Sequence, residues 1–361
     1  MGARKDRRRL SDFLSGVGLS RRAGKPQANF LLAGQSNIDE WFHVDDGAVL
    51  ETFRKSFLRL KPQYRDVELF RVSRGGSALF RQFAEANARE FADDPDLFER
   101  VRRNYWFDER AEEPGPAFDR AKDRIGRWMT GKSGFEGVIW SQGESDAIHV
   151  GQRDCDRYTE GLAKVLKGLS QCGGDCPVFV QELGRITPSH TAQHARVERV
   201  RAAQRAVAHA HDEIVIATTT FDLPLRDEVH LTTDSYHMAA KRMAAAVAGG
   251  EYSPTVLRAH IDEQGAIAIQ LDLADSQTLD RCPKTAGLQI TSDGSTVPVE
   301  ALHTDAEGSI LVVPARPIES ATIDYAGPAT VDHMGSDDFL TVTGPHMSLP
   351  VRPFRTTAVR R

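Results

Sequence analysis

The sequence has little cysteine, few aromatic residues and no long apolar run. Cysteine occurs 4 times in 361 residues, and aromatic side chains make up 7% of the chain. No stretch approaches the roughly 18 consecutive apolar residues of a membrane-spanning helix, so we expect no membrane span. The net charge of −5 provides no overall positive field, which argues against nucleic acid as a partner. The remaining composition, 40% hydrophobic and 27% charged, is that of an ordinary globular chain long enough for two domains.

The cysteines do not form a metal-binding pattern. Cys172 and Cys176 flank a Gly-Gly-Asp segment, whereas Cys155 and Cys282 stand apart from them. A zinc site takes about four ligands, and no second pair of cysteines lies near the first. We therefore expect reduced thiols and no metal or other cofactor. A local disulfide between Cys172 and Cys176 is the alternative.

Basic residues are concentrated in residues 1–27, where Asp6 and Asp12 are the acidic residues. The pair Arg8-Arg9 is similar to a twin-arginine export signal, but residues 15–22 lack the apolar stretch that such a signal needs. We expect a flexible basic tail, with docking to a larger assembly as its alternative role. The lack of a recognisable secretion signal predicts a cytoplasmic protein, or a component of a particle assembled in the cytoplasm.

Short apolar segments alternate with amphipathic segments through residues 28–252. Each apolar segment is followed by turn-forming or polar residues, which is typical of buried parallel strands. The predicted strands are residues 29–33, 68–72, 137–140, 177–181 and 213–217. The predicted helices are residues 78–91, 158–169, 195–210 and 233–248. This alternation predicts an α/β domain whose parallel sheet is covered by helices on both faces.

The pattern changes after Ser253-Pro254, where short apolar segments and turn signals replace the helices. The predicted strands here are residues 266–271, 288–291, 309–313 and 321–325. Turn signals such as Ser292-Asp-Gly and Glu307-Gly separate them. Residues 253–361 are therefore predicted to form a small β domain, either a sandwich or a half-barrel.

A serine follows the first predicted strand in the segment Gly34-Gln-Ser-Asn. Ligands of open α/β sheets bind beyond the carboxyl ends of the strands, and Ser36 stands at such an end. Gly34 permits a sharp backbone turn at this point. The segment is equally compatible with a simple turn, so it needs support from other parts of the sequence.

A histidine with a nearby carboxylate follows the fifth predicted strand in the segment Asp227-Glu-Val-His230. A serine hydroxyl is a poor nucleophile until a base removes its proton, and histidine suits that task near neutral pH. The histidine in turn needs a carboxylate to hold its tautomer, and an aspartate three residues earlier can fold back onto its ring. Ser36, His230 and Asp227 are thus candidate nucleophile, base and acid.

Polar residues also follow the second and third predicted strands. In Trp140-Ser-Gln-Gly-Glu-Ser-Asp, Gln142 can direct an amide N–H at an oxyanion, and Glu144 is a second carboxylate for the histidine. In Ser73-Arg-Gly-Gly-Ser, the backbone N–H groups of the loop can complete an oxyanion hole. A solvated loop explains either segment alone, but polar clusters at several strand ends favour a site.

Taken together, these segments resemble the conserved blocks of the SGNH (GDSL-type) hydrolase superfamily. The motifs at Ser36, at 140–146 and at Asp227-x-x-His230 are similar to the sialate O-acetylesterase and acetylxylan esterase branch. The resemblance covers residues 28–250, and a weaker similarity extends to the segment 349–356. Ile38 is one departure, because the branch usually has methionine at that position. The missing secretion signal is another.

The resemblance implies a three-layer α/β/α fold and hydrolysis of acetyl esters on sugars without a cofactor. It assigns Ser36 as nucleophile, His230 as base and Asp227 as the acid, with Glu144 as the alternative acid. It implies an oxyanion hole made by the Ser36 amide, by Gly75 with its neighbour Gly76, and by Gln142.

The expected substrate is an acetylated carbohydrate, which the loops at 39–46 and 93–116 would recognise. Trp41 or Trp106 could stack on a sugar ring, although buried packing is the simpler interpretation of both. An alternative function is a weakly active or inactive carbohydrate-binding component of a larger, phage-like assembly. A lipid or thioester substrate would require a long apolar acyl channel, and no loop is apolar enough to form one.

Overall fold

The computed structural model describes residues 25–132, 134–187, 191–280, 287–305, 308–327 and 339–360, without the side chains of 191–194. Most of the predicted basic tail, and Cys282, lie outside the described residues. Within them, no helix is long and apolar enough to cross a membrane. The described residues form two compact units: residues 221–223 and those from 251 onward belong to the second, and nearly all the others to the first.

Eight strands and nine helices lie in the described part of the first unit. The strands are Gln27–Gly34 (β1), Asp66–Arg71 (β2), Ala78–Phe80 (β3), Tyr105–Asp108 (β4), Glu113–Pro114 (β5), Gly137–Ser141 (β6), Val178–Glu182 (β7) and Ile214–Thr219 (β8). The helices are Ser36–Asp39 (α1), Ala48–Leu60 (α2), Arg81–Ala88 (α3), Pro95–Arg102 (α4), Pro116–Met129 (α5), Glu144–Ala147 (α6), Cys155–Cys172 (α7), Thr191–Ala210 (α8) and Thr233–Gly249 (α9). Short 3₁₀ turns occupy Glu40–Phe42, Val44–Gly47, Arg89–Phe91 and Gln152–Asp154.

A five-stranded sheet with the order β2-β1-β6-β7-β8 forms the centre of the first unit. Every neighbouring pair is parallel. Strands β6 and β7 are buried along their whole length, and β1 along all but its first residue, because apolar side chains point to both faces. The predicted α/β fold with a parallel sheet and flanking helices is confirmed, and all five predicted strands are present.

The prediction for residues 78–91 is partly wrong, because Ala78–Phe80 is a strand. It pairs with β4 in a small sheet of three strands, β3-β4-β5, and the helix begins only at Arg81. The other five helices, α1, α2, α4, α5 and α6, are not among the predicted ones. Start signals for two of them are visible in the sequence: Asp94 caps α4 by accepting a hydrogen bond from the Leu97 N–H, and proline opens both α4 and α5.

Gly34 allows the close approach of β1 and β6 at their carboxyl ends, and Gly143 allows the loop after β6 to pass close to α8. Gly34 has φ +124°, and a Cβ added there would lie 1.9 Å from the backbone oxygen of Ser141. Gly143 has φ +144°, and a Cβ there would lie 2.7 Å from Val200. Both positions therefore exclude any larger residue, and the loops that follow the two strands lie side by side.

The second unit consists of antiparallel β structure. Its strands are Val256–Ile261 (β9), Ile267–Leu271 (β10), Thr278–Leu279 (β11), Leu288–Ser292 (β12), Ser295–Val297 (β13), Val299–Thr304 (β14), Ile310–Pro314 (β15), Ser320–Tyr325 (β16), Thr341–Thr343 (β17), Ser348–Pro350 (β18) and Phe354–Val359 (β19). They form sheets of the orders β14-β15-β10-β9, β13-β12-β16-β19 and β11-β17-β18. Alternate residues such as Ile267, Ile269 and Leu271 point into a shared apolar core. The predicted C-terminal β domain is confirmed.

Replacing Gly34 tests the close contact between β1 and β6. Gly34→Ala is expected to lower the free energy of unfolding by about 3 kcal/mol or more, because the new methyl group overlaps backbone at a left-handed φ. The measurement is the thermal unfolding midpoint by calorimetry. Gly126→Ala is the matched control, since Gly126 lies within α5 with no atom near its Cβ direction. That variant should gain about 0.5–1 kcal/mol. Equal midpoints for the two variants would contradict the inferred contact.

Candidate active site

The predicted site residues lie in the loops and short helices that follow the strands of the parallel sheet. Ser36 follows β1, and Gln142 and Glu144 follow β6. Gly75 lies in the loop after β2, and His230 lies between β8 and α9. Because the strands are parallel, all these loops leave the sheet at its carboxyl edge, which is where ligands of open α/β sheets bind.

Gln35 joins the loop of Ser36 to the loop that follows β6. Its N–H donates to the Ser141 carbonyl at 2.9 Å. Its side-chain oxygen accepts hydrogen bonds from the N–H groups of Gly143 at 3.2 Å and Ser145 at 3.4 Å. The Gln35 side chain thereby satisfies N–H groups at the start of α6, and it fixes the turn from which Ser36 projects.

Asp227 and His230 form the predicted acid–base pair. The His230 Nδ1 atom lies 2.9 Å from Oδ2 and 3.1 Å from Oδ1 of Asp227. The Asp227 carboxylate also accepts hydrogen bonds from the N–H groups of Val229 and His230. Burial raises the pKa of Asp227, but these donors and the charge of His230 outweigh it and lower the pKa to about 2. An ionised Asp227 holds a proton on Nδ1, which leaves Nε2 as the basic nitrogen.

Asn37 connects the segment of Ser36 to the loop of His230. Its amide nitrogen donates to Glu144 Oε1 at 2.6 Å and to the Val229 carbonyl at 3.0 Å. Its amide oxygen accepts a hydrogen bond from the Tyr236 hydroxyl at 2.8 Å. Asn37 is buried, so these contacts hold the residues that adjoin Ser36 and His230 against one another.

Ser36 and His230 are not themselves hydrogen-bonded in the structure. Among the described residues, the hydrogen bonds of the His230 ring go to Asp227 alone. Catalytic hydrogen bonds are often long before substrate binds, and they shorten only in the reacting complex. The structure therefore brings the two segments together. Within the described residues, neither the Ser36 hydroxyl nor His230 Nε2 has a hydrogen-bond partner.

Glu144 is buried beside this pair but contacts Asn37 rather than His230. Burial raises its pKa, and the hydrogen bond from Asn37 and the charge of His230 oppose the rise. Glu144 Oε2 is buried and has no hydrogen-bond partner among the described residues. The carboxylate hydrogen-bonded to the imidazole is therefore that of Asp227, whereas Glu144 is hydrogen-bonded to Asn37.

Gln142 does not have the geometry that was predicted for an oxyanion donor. Its amide nitrogen donates to Asp146 Oδ2 at 2.5 Å and to the Ser77 carbonyl at 3.3 Å, so both of its hydrogens are used. Asp146 also accepts from the Tyr158 hydroxyl at 2.8 Å and the Leu79 N–H at 2.9 Å. Burial raises the pKa of Asp146 to about 7. Gln142 thus belongs to a buried hydrogen-bond network in which both of its amide hydrogens are used. Its role as an oxyanion donor stays a prediction.

Gly75 and Gly76 are exposed and lie in the loop that follows β2. A Cβ at either position would meet no atom within 4 Å. The loop is fixed on both sides, because the Arg74 N–H donates to the Gly34 carbonyl at 3.0 Å and the Ser77 N–H to the Arg74 carbonyl at 3.2 Å. Within the described part of the chain, the N–H groups of Gly75 and Gly76 have no acceptor, so they are available to a ligand oxygen.

The two tryptophans that could have stacked on a sugar ring are inside the protein. Trp41 and Trp106 are both 0% exposed. Trp106 donates its ring N–H to the Ser77 hydroxyl at 2.9 Å and packs edge-on against Trp140. The interpretation of both residues as buried packing is confirmed.

Sequence reasoning missed the roles of Gln35, Asn37, Asp146 and Tyr236. Gln35 and Asn37 flank Ser36 directly, and Asp146 ends the motif that contains Gln142. The signal that could have revealed the first three is the run of amides and carboxylates at the strand ends, because polar side chains that are buried there need hydrogen-bond partners. Tyr236 lies in α9 and carried no such signal.

The comparisons with known proteins give the family to which the chain belongs. The sequence profile of the carbohydrate esterase family of sialic acid-specific acetylesterases matches residues 47–249, more than half of the chain. The chain belongs to this family, and it is a carboxylic ester hydrolase of the carbohydrate acetylesterase type. Ser36 precedes the matched residues.

Solved structures with similar folds include a carbohydrate acetylesterase from Xanthomonas citri. It is 18% identical, the match covers 91% of this chain and 80% of that protein, and the TM-score is 0.63. A protein from Arabidopsis thaliana is 18% identical over 62% of this chain and 98% of its own, with a TM-score of 0.40. A carbohydrate acetylesterase from Sinorhizobium meliloti is 14% identical over 62% of this chain and 97% of its own, with a TM-score of 0.37.

Replacing Asn37 tests its connecting role. Asn37→Ala is expected to lower the free energy of unfolding by about 3 kcal/mol, because the buried Glu144 carboxylate loses its donor. It should also lower kcat, since the His230 loop loses its anchor at Val229. Ser36→Ala is the neighbouring control, and it should keep the unfolding midpoint of the wild type. If Asn37→Ala unfolds at the wild-type temperature, the hydrogen bonds of Asn37 do not hold the site together.

Proposed function

We propose that the protein hydrolyses O-acetyl esters on carbohydrate through an acetyl-enzyme formed on Ser36. The observation that carries this proposal is the hydrogen bonding of Asn37, which holds the segment next to Ser36 against the loop of His230. Membership of the carbohydrate acetylesterase family supports the acetyl ester as the bond that is broken. No cofactor is needed for this reaction.

In the first half of the reaction, the Ser36 hydroxyl attacks the acetyl carbonyl carbon. His230 Nε2 takes the hydroxyl proton as the new C–O bond forms, and Asp227 stabilises the resulting imidazolium through Nδ1. His230 then gives the proton to the sugar oxygen as the ester bond breaks. The sugar leaves with its hydroxyl restored, and the acetyl group remains on Ser36.

The tetrahedral oxyanion needs donors that are fixed before substrate arrives. The N–H of Ser36 at the start of α1 and the N–H groups of Gly75 and Gly76 are the donors we propose. Gln142 was expected to contribute, but its N–H groups are engaged by Asp146 and Ser77. The glycine loop has open space around it, so a substrate oxygen can approach the backbone.

In the second half, water replaces the sugar. His230 Nε2 removes a proton from the water as it attacks the acetyl carbon, and the same donors hold the oxyanion. The proton returns to the Ser36 oxygen as acetate leaves, which restores the free enzyme.

The proposed acid is Asp227, with Glu144 as the alternative. Asp227 contacts the imidazole directly and has a lowered pKa, so it is ionised throughout the range in which the folded protein would be assayed. Glu144 has a raised pKa and is hydrogen-bonded to Asn37 rather than to the ring. Geometry and charge therefore both favour Asp227.

Ser36→Ala tests the nucleophile. It is expected to lower kcat for acetate release from an aryl acetate about 10⁴-fold, because the variant lacks the hydroxyl that His230 activates in the proposed mechanism. Ser56→Ala, on a half-buried position of α2, is the matched control and should keep the wild-type rate. A folded Ser36→Ala enzyme that turns over normally would exclude this serine mechanism.

Comparing Asp227→Asn with Glu144→Gln tests the acid. Asp227→Asn should lower kcat about 10³-fold, because an amide cannot hold the Nδ1 proton or stabilise the imidazolium. Glu144→Gln keeps an oxygen for the Asn37 N–H and should cost less than about tenfold. Both rates are measured by acetate release at neutral pH, with unfolding midpoints as a check. The reverse ranking would make Glu144 the acid.

A further inference from the structure

Residues 74–77 form a β-turn in the loop that follows β2. The Ser77 N–H donates to the Arg74 carbonyl at 3.2 Å, which closes the turn. Gly75 and Gly76 are its two central residues, and of these two only Gly76 has a left-handed φ, at +66°. A β-turn whose third residue is left-handed and whose second residue is not has the φ pattern of type II.

The two commonest turn types differ in the direction that their central peptide faces. A rotation of that peptide by about 180° converts type II into type I, and glycine at both central positions tolerates either turn. Here the central peptide joins Gly75 to Gly76. Because a trans peptide holds its C=O and N–H in opposite directions, the turn type decides on which side of the loop the Gly76 N–H lies.

Asn104 binds the carbonyl of this central peptide. Its side-chain Nδ2 donates to the Gly75 carbonyl at 3.0 Å. The main chain of Asn104 is itself fixed: its N–H donates to the carbonyl of Val101 in α4 at 2.9 Å, and its carbonyl accepts a hydrogen bond from the Ala78 N–H at 3.0 Å. One residue therefore holds the turn both at its central peptide and immediately after its last residue.

The two ends of the turn are fixed against β1. The Ser77 hydroxyl donates to the Gly34 carbonyl at 3.2 Å and accepts a hydrogen bond from the ring N–H of Trp106 at 2.9 Å. The Arg74 N–H donates to the same Gly34 carbonyl at 3.0 Å. Gly34 ends β1, two residues before Ser36. With both ends held, rotation of the central peptide is the freedom that remains to the turn.

The Asn104 side chain has no other hydrogen bond among the described residues. Asn104 is 6% exposed, and its Oδ1 is buried without a partner in the part of the chain that the structure describes. Burying an amide with an unpaired oxygen destabilises a fold. Gly75 is exposed, so water can bind its carbonyl if Asn104 does not. The amide of Asn104 is therefore better explained by the direction that it gives the peptide than by stability.

We propose that Asn104 is a positioning residue of the esterase, which holds the Gly75 carbonyl so that the Gly76 N–H faces the oxyanion of the reacting acetyl group. In a type I turn the carbonyl oxygen would take the place of that N–H and would repel the oxyanion. Asn104 touches no reacting atom. This inference rests on the proposed function, because it explains how one of the proposed oxyanion donors is held in place.

Asn104→Leu tests this role with an apolar side chain of similar size. It is expected to lower kcat for acetate release from an aryl acetate about 10²-fold with little change in KM, because an oxyanion donor acts in the transition state. A purely structural residue would lower the unfolding midpoint without this split between kcat and KM. Asn87→Leu, at a half-buried position of α3, is the matched control and should keep the wild-type kcat.

Gly76→Ala acts on the same peptide without changing Asn104. A Cβ at Gly76 meets no atom within 4 Å, but alanine disfavours the left-handed φ, so the variant favours the type I turn. It should lower kcat about as much as Asn104→Leu. The double variant should lose little more than either single variant, because both changes release one peptide. Losses that multiply in the double variant, or a wild-type kcat in Asn104→Leu, would overturn the proposal.

Crystal structures of the variants separate this proposal from the proposed function. A Gly75–Gly76 peptide that has turned over in Asn104→Leu supports the positioning role by a measurement that needs no turnover, whereas a peptide in the wild-type orientation rejects it. Failure of the wild type to release acetate would instead count against the proposed function. If Asn104→Leu does not fold, Asn104→Asp, which keeps the shape of the side chain and lacks the N–H donor, takes its place in both measurements.

Discussion

The arrangement of the site depends on how the protein satisfies the buried carboxylate of Glu144. A carboxylate removed from water needs hydrogen-bond donors, and Asn37 supplies one at 2.6 Å. The same amide group uses its second hydrogen on the Val229 carbonyl, so one side chain joins segments that are 107 and 192 residues away along the chain. A single buried side chain thus holds the segment of Ser36 against the loop of His230. An apolar residue at 37 would leave Glu144 unpaired and the loop unanchored.

The sheet was predictable because its strands are buried on both faces. Runs such as the one in β1 are mostly apolar and lie between polar turns, and their short length favours a buried strand over a helix. Helices were harder to predict where only a narrow stripe is apolar. In α2 the buried residues Val49, Phe53 and Phe57 recur every fourth position among charged neighbours. The short strand β3 was missed because three residues carry too little periodicity to separate a strand from the helix that follows.

The candidate site was predictable as a set of loops but not as a set of contacts. Parallel strands must end at the same edge, so the residues after them had to be neighbours. Which polar groups pair there depends on side-chain geometry that the sequence does not encode locally. Gln142 illustrates the difference: its amide suits an oxyanion, yet Asp146 and the Ser77 carbonyl lie close enough to take both hydrogens. The pairing of Asp227 with His230 was easier to predict, because the two residues are only three positions apart in one loop.

Three carboxylates near the site have different tasks because their surroundings differ. The acid that we propose to orient His230 must be ionised, and the donors around Asp227 lower its pKa to about 2. Burial raises the pKa of Glu144 and brings that of Asp146 to about 7, so these two suit positions that bind donors rather than stabilise an imidazolium.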